Sequence, residues 1–137
     1  MSRIRHLGDR IFERMLDECG IEAFNGAQGR ILYVLWENGR MPISQIGKLT
    51  SLAKTTLTSM LDRMETAELV VRIPDERDRR RIYVELTPKA EALRQDYDDV
   101  SDRVNEWYFK GFTEQEIRQF EDTLRRIVAN CEEEEAR

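Results

Sequence analysis

Between residues 69 and 86 the hydrophobic period of this chain switches from 3.6 to 2. Leu69, Val71 and Ile73 alternate on one side, and after a gap Ile82, Val84 and Leu86 alternate again, with Arg81, Tyr83 and Glu85 facing the other way. Such alternation predicts two short strands joined as a hairpin. The connection from Pro74 to Arg79 has no glycine and is longer than the two-residue turns hairpins favour, so it should project as a long loop.

Everything around the hairpin carries helical spacing. Ile4, Leu7, Ile11, Phe12, Met15, Leu16 and Cys19 recur at steps of three and four, predicting a first helix that ends near Gly20. A second, from about Ala27 to Asn38, holds the unbroken run Ile31 to Trp36 and should sit at the centre of the core. Two short segments follow. Ser44 is placed to cap the first, and Gly47 within it would let a neighbouring helix approach closely. The second, about Lys54 to Ala67, turns Leu57, Met60, Leu61 and Met64 inward and Lys54, Thr55, Thr58, Ser59 and Asp62 outward. A helix, a tight connection and a helix with a short-polar outer face form a helix-turn-helix pattern.

Beyond the hairpin, Thr87 and Pro88 open a helix expected to last to about Lys110, with Leu93, Tyr97, Val100, Val104 and Trp107 stepping 4, 3, 4, 3. Thr113 and Glu116 form a capping box for a last helix in which Ile117, Phe120, Leu124, Ile127 and Cys131 step 3, 4, 3, 4. Sustained spacing near 3.5 is what a helix–helix seam requires. Packing within one chain would satisfy it, but one small domain offers little surface to cover three long amphipathic helices, which favours a homodimer.

The formal net charge of −5 argues against a nucleic-acid partner until its distribution is considered. Residues 40 to 90 hold ten Lys and Arg against seven Asp and Glu, and the remainder twelve against twenty, so an acidic body surrounds a mildly basic middle. The stretch DERDRRRIYVELT, residues 75 to 87, puts Arg77, Arg79, Arg80 and Arg81 into five positions of that middle. Two cysteines and one histidine exclude a disulfide framework and a histidine-built metal site, and neither a cofactor motif nor a catalytic triad is present. The longest apolar run, Ile31 to Trp36, is far too short to span a bilayer, and with no signal peptide the expected location is cytoplasmic.

A helix-turn-helix followed directly by a hairpin is the winged helix-turn-helix order, and residues 43 to 93, ISQIGKLTSLAKTTLTSMLDRMETAELVVRIPDERDRRRIYVELTPKAEAL, resemble the DNA-binding core of the MarR family of transcription regulators. The most specific part is the D-x-R-x-x-R-type wing followed by a strand and Leu86-Thr87. The resemblance covers nearly the whole chain. It implies a single winged helix-turn-helix domain over 1–137, mainly α with a small β-hairpin. The DNA-binding lobe would span about 40–88, and the dimerisation helices about 3–20 and 88–132.

Function is implied on the same footing: sequence-specific binding of double-stranded DNA at a pseudo-palindromic operator, as a repressor relieved by a small-molecule effector. Position by position, Lys54, Thr55, Thr58 and Ser59 match DNA-facing sites of the recognition helix. Arg80 matches a minor-groove arginine oriented by Asp78, with Arg77 and Arg79 beside it on the wing. Arg63 and Arg72 match positions of common arginines, as phosphate contacts or as structural ion pairs. Ala53, Glu68 and Ala90 depart from a usual serine and two usual glycines. Tyr33, Trp36, Trp107 and Tyr108 are candidates to line an effector pocket. Two other readings compete: a winged-helix module that binds protein, and a thiol-based redox sensor, since some members of the family sense oxidants through a cysteine. Against the sensor, Cys19 has the place of a small buried hydrophobe, and the nearby Arg14, Asp17 and Glu18 give no clear electropositive setting.

Overall fold

In a computed structural model, which describes residues 2–137, the helices are α1 (Ser2–Glu18), α2 (Gly26–Asn38), α3 (Ile43–Thr50), α4 (Lys54–Thr66), α5 (Pro88–Glu91), α6 (Arg94–Tyr108) and α7 (Glu114–Glu135). The strands are β1 (Met41–Pro42), β2 (Val70–Pro74) and β3 (Ile82–Leu86), ordered β1-β3-β2 and antiparallel throughout. The chain divides into two compact units, one ending at Val104 and the other running Asn105–Arg137.

The core of the first unit centres on α2, whose Ile31, Leu32 and Leu35 are fully buried, as the unbroken apolar run requires. Around them lie Leu16, Ile46, Leu57, Leu61, Met64, Leu69, Val84 and Val100. Asn25 and Gln28 close a capping box at the start of α2, and Thr87 accepts from the Ala90 N–H to start α5.

The third strand corrects the two-stranded reading. Met41–Pro42 pairs with Val84 and Tyr83, so the chain enters α3 from extended backbone at Pro42, and Ser44 lies inside the helix instead of capping it. A side chain at Gly47 would meet Leu57 at 3.6 Å, an ordinary contact, so close approach does not demand glycine there. The phase of β2 is also one residue away from the expected one. Val70, Arg72 and Pro74 pair with Leu86, Val84 and Ile82, so Val70 and Arg72 share the face of the buried Val84 while Val71 turns outward. The shift originates at Glu68, whose φ of 62° is left-handed and drops Leu69 into the core one step before the strand begins. A left-handed non-glycine residue costs about 1–2 kcal/mol; the Glu68 carbonyl is held by the Thr87 hydroxyl at 2.6 Å.

The helix expected from Thr87 to Lys110 is broken at residues 92 and 93. The Ala90 carbonyl receives the Leu93 N–H at 3.1 Å and the Trp36 indole N–H at 3.2 Å, so the bond that would carry an α-helix on to Arg94 is not made. In the second unit, the capping box of Thr113 and Glu116 forms as read from sequence. Hydrogen bonds from Thr113 hold the Glu116 carboxyl below its ordinary pKa. No residue of α7 is buried.

Candidate nucleic-acid interface

Helix α4 divides sharply. Leu57, Leu61 and Met64 hold it to the core, while Lys54, Thr55, Thr58, Ser59, Asp62 and Arg63 are all exposed. No side chain caps its first turn at Ala53, so the orphan N–H groups there remain open. Thr58 donates its hydroxyl to the Lys54 carbonyl at 2.8 Å, which leaves lone pairs and a methyl to present outward. At the other end, Lys89 donates to the Ala67 carbonyl at 3.0 Å and neutralises the partial negative charge of the helix terminus.

The wing loop is shaped by two aspartates. Asp75 accepts from the Arg77 N–H at 2.8 Å and Asp78 from the Arg80 N–H at 3.0 Å, two local turns that substitute for the missing glycine. Arg77, Arg79 and Arg80 are exposed, and among the described residues the Arg80 guanidinium, at 95% side-chain exposure, meets a carboxylate only where its Nε comes within 3.5 Å of Asp78. Asp78 therefore fixes both the backbone and the root of the arginine, leaving the guanidinium outermost.

Arg72 behaves differently. Its guanidinium pairs with Asp62 of α4 and lies 3.8 Å from Glu65, and its side chain is only 23% exposed. The geometry gives it the ion pair, not an outward position. Sequence distance hides this, because the phase of β2 decides on which face Arg72 falls.

The aromatic candidates separate. Trp36 is buried and bonded to Ala90, while Tyr33 is 45% exposed and stacks on Tyr97 at 5.8 Å. Tyr97 also meets Phe12, Phe24 and Trp36 within 6.1 Å; the heptad-like step of its helix marked it as core, and the convergence of four rings on it was not visible. Burial pushes its hydroxyl above the ordinary tyrosine pKa. Trp107 and Tyr108 are exposed in the second unit.

Cys19 corrects the sequence reading twice. It is exposed, and the Arg103 Nη1 donates to its Sγ at 3.2 Å. A groove of about 360 Å³ lined by Cys19, Glu22, Leu93, Asp96 and Asp99 runs past it. Among the described residues no group of His, Cys, Asp and Glu is arranged to hold a metal, and no helix is long and apolar enough to cross a membrane.

The sequence model of the MarR family matches residues 24–82. An uncharacterised HTH-type transcriptional regulator of Bacillus subtilis, YsmB, is 31% identical over 90% of this chain and 85% of its own length. The regulator FarR of Neisseria gonorrhoeae is 36% identical over 71% of this chain, a match that spans 62% of FarR. In fold, the chain is similar to a MarR mutant from E. coli crystallised with operator DNA, with a TM-score of 0.80, 23% identity, and coverage of 93% of this chain and 89% of the other. Helix-turn-helix, three-stranded wing and matching relatives agree: the chain belongs to the MarR family of winged-helix transcriptional regulators, which are not enzymes.

Proposed function

We propose that this protein acts in the cytoplasm as a homodimeric repressor of transcription, binding a pseudo-palindromic operator in double-stranded DNA and released by a small-molecule effector. The observation that carries the reading is the shared character of α4 and the wing. Lys54, Thr55, Thr58, Ser59 and Arg63 all stand outside the core on one helix, and Arg77, Arg79 and Arg80 stand on a loop whose backbone is fixed. Helix hydroxyls suit base edges and phosphates in a major groove, and a projecting guanidinium gains from the concentrated negative potential of a narrow minor groove. Arg72 serves this surface from behind, through Asp62.

A second copy is called for by apolar residues that this chain leaves in water: Ile4 and Leu7 on α1, and Phe120, Leu124, Ile127 and Val128 on α7. For the effector, the exposed Tyr33 supplies the accessible aromatic edge, with Tyr97 and Trp36 packed behind it. Selecting bound fragments from genomic DNA with the purified protein tests the whole reading. The expected product is a set of inverted repeats with half-sites about one helical turn apart, roughly 34–36 Å. Failure to retain any duplex in a salt-sensitive way would leave the protein-binding module as the reading.

The Arg103–Cys19 contact favours a second reading alongside the first, in which release from DNA follows oxidation of Cys19. A guanidinium N–H directed at sulfur is a donor placed to receive negative charge as it develops there.

A further inference from the structure

Arg40, Tyr83 and Arg81 sit together on the outer face of the sheet. The Arg40 guanidinium lies 4.7 Å from the Tyr83 ring centroid and that of Arg81 lies 5.2 Å from it, both within cation–π range. The register explains the meeting. Val84 faces the core, so its neighbour Tyr83 faces out, and Arg81 falls on the same side two residues earlier. Met41 is buried opposite Val84, which sends the preceding Arg40 outward beside Tyr83.

Two cations on one ring repel each other, and the ring alone gives each a modest return. Arg72, Arg80 and Arg94 each face a carboxylate, whereas among the described residues neither Arg40 nor Arg81 has an acidic partner within 4.0 Å. Glu85 lies on the same face of β3 and makes no ion pair with either. Contact with the ring restrains both guanidinium groups while both residues stay exposed, so less rotamer entropy is left to lose when an anion binds. The fork geometry matches phosphate oxygens.

We infer that Arg40 and Arg81, ordered by Tyr83, form a phosphate-binding platform for the DNA backbone, separate from the recognition helix and from Arg80. Arg81 follows Arg80 directly, so the platform begins where the wing loop enters β3. The inference rests on the operator-binding reading, and it adds a contact indifferent to base sequence.

The test is the salt dependence of duplex binding by the full chain, measured by fluorescence anisotropy on a selected operator and on an unrelated duplex. Each phosphate contact adds about 0.9 to the slope of log affinity against log salt concentration. Because a dimer on its operator carries each residue twice, Arg40→Gln and Arg81→Gln should each lower the slope by about 1.8. Each variant should then lose about twelvefold less affinity than wild type over a fourfold rise in salt. At low salt the weakening should be by the same factor on both duplexes. Arg40→Lys and Tyr83→Phe should keep the slope, since charge and ring survive, and thermal melting confirms that every variant is folded. Wild-type protein with a steep slope that neither glutamine variant alters would overturn the platform and leave the regulator reading standing. A wild-type protein without salt-sensitive duplex binding would overturn both.

Discussion

Arg72 of β2 pairs with Asp62 of α4, so the strand that leads into the wing is tied to the exposed face of that helix by one guanidinium. Asp62 is well exposed and its charge is screened, so Asp62→Asn should cost no more than about 1 kcal/mol in urea unfolding. Arg72→Ala also strips the aliphatic stem from the core side of the sheet and should cost about 1–3 kcal/mol. Both variants should bind the operator more weakly than their stability loss explains, with discrimination among operator variants relaxed, because helix and wing lose their mutual register. Binding titrations against a panel of single-base changes measure this.

Trp36→Phe should destabilise the fold by about 1 kcal/mol, since the ring volume largely remains but the Ala90 carbonyl loses its indole donor. A urea melt beside the wild type checks it. The same bond shows where sequence reading stopped. Helices, caps at Thr87 and Thr113, the buried faces of α2 and α4 and the order of the winged helix were legible because each is written in local spacing. The break at residues 92 and 93 depends on a donor 54 residues away, and the phase of β2 depends on one left-handed residue, Glu68. Strand β1 is two residues long and exists only through pairing with β3, so no periodicity could announce it.

In the candidate site the division is similar. The exposed residues of α4 and the wing follow from patterning and from the family resemblance. The partners do not: Asp62 for Arg72, Arg103 for Cys19 and Tyr83 for Arg40 all come from other elements.

Leu124→Glu should convert a dimer to a monomer in sedimentation velocity while leaving helix content unchanged, because α7 buries no residue in its own chain. A charge at a half-exposed seam position costs little in the monomer and much in an apolar interface. Operator affinity should fall on the order of a hundredfold as two half-site contacts become independent. Unchanged sedimentation would place the dimer surface elsewhere.

Tyr97 gives the fold an alkaline limit. Burial raises its pKa, so the folded state holds the phenol proton more tightly than the unfolded chain does. Its contribution is fully present below the unfolded value near 10 and is lost as pH rises through the folded one. Melting temperature should therefore drop more steeply above about pH 10 in the wild type than in Tyr97→Phe, which keeps the ring contacts with Phe12, Phe24, Tyr33 and Trp36. Parallel curves would assign the alkaline loss to other groups.

Oxidation of Cys19 is the most direct test of what Arg103 does. Hydrogen peroxide would transfer one oxygen to the sulfur, giving a sulfenic acid and water, and the groove beside Cys19 leaves the thiol accessible. Peroxide should lower the operator affinity of wild-type protein and leave Cys19→Ser unaffected, while Cys131→Ser should respond as wild type does. Arg103→Gln should keep the same end point but slow sulfenic acid formation, followed by mass spectrometry, because the charged donor at 3.2 Å from the sulfur is gone. Equal rates in Arg103→Gln and wild type would reduce the contact to a packing accident at the end of α1. An operator affinity unmoved by peroxide would remove the thiol from regulation altogether.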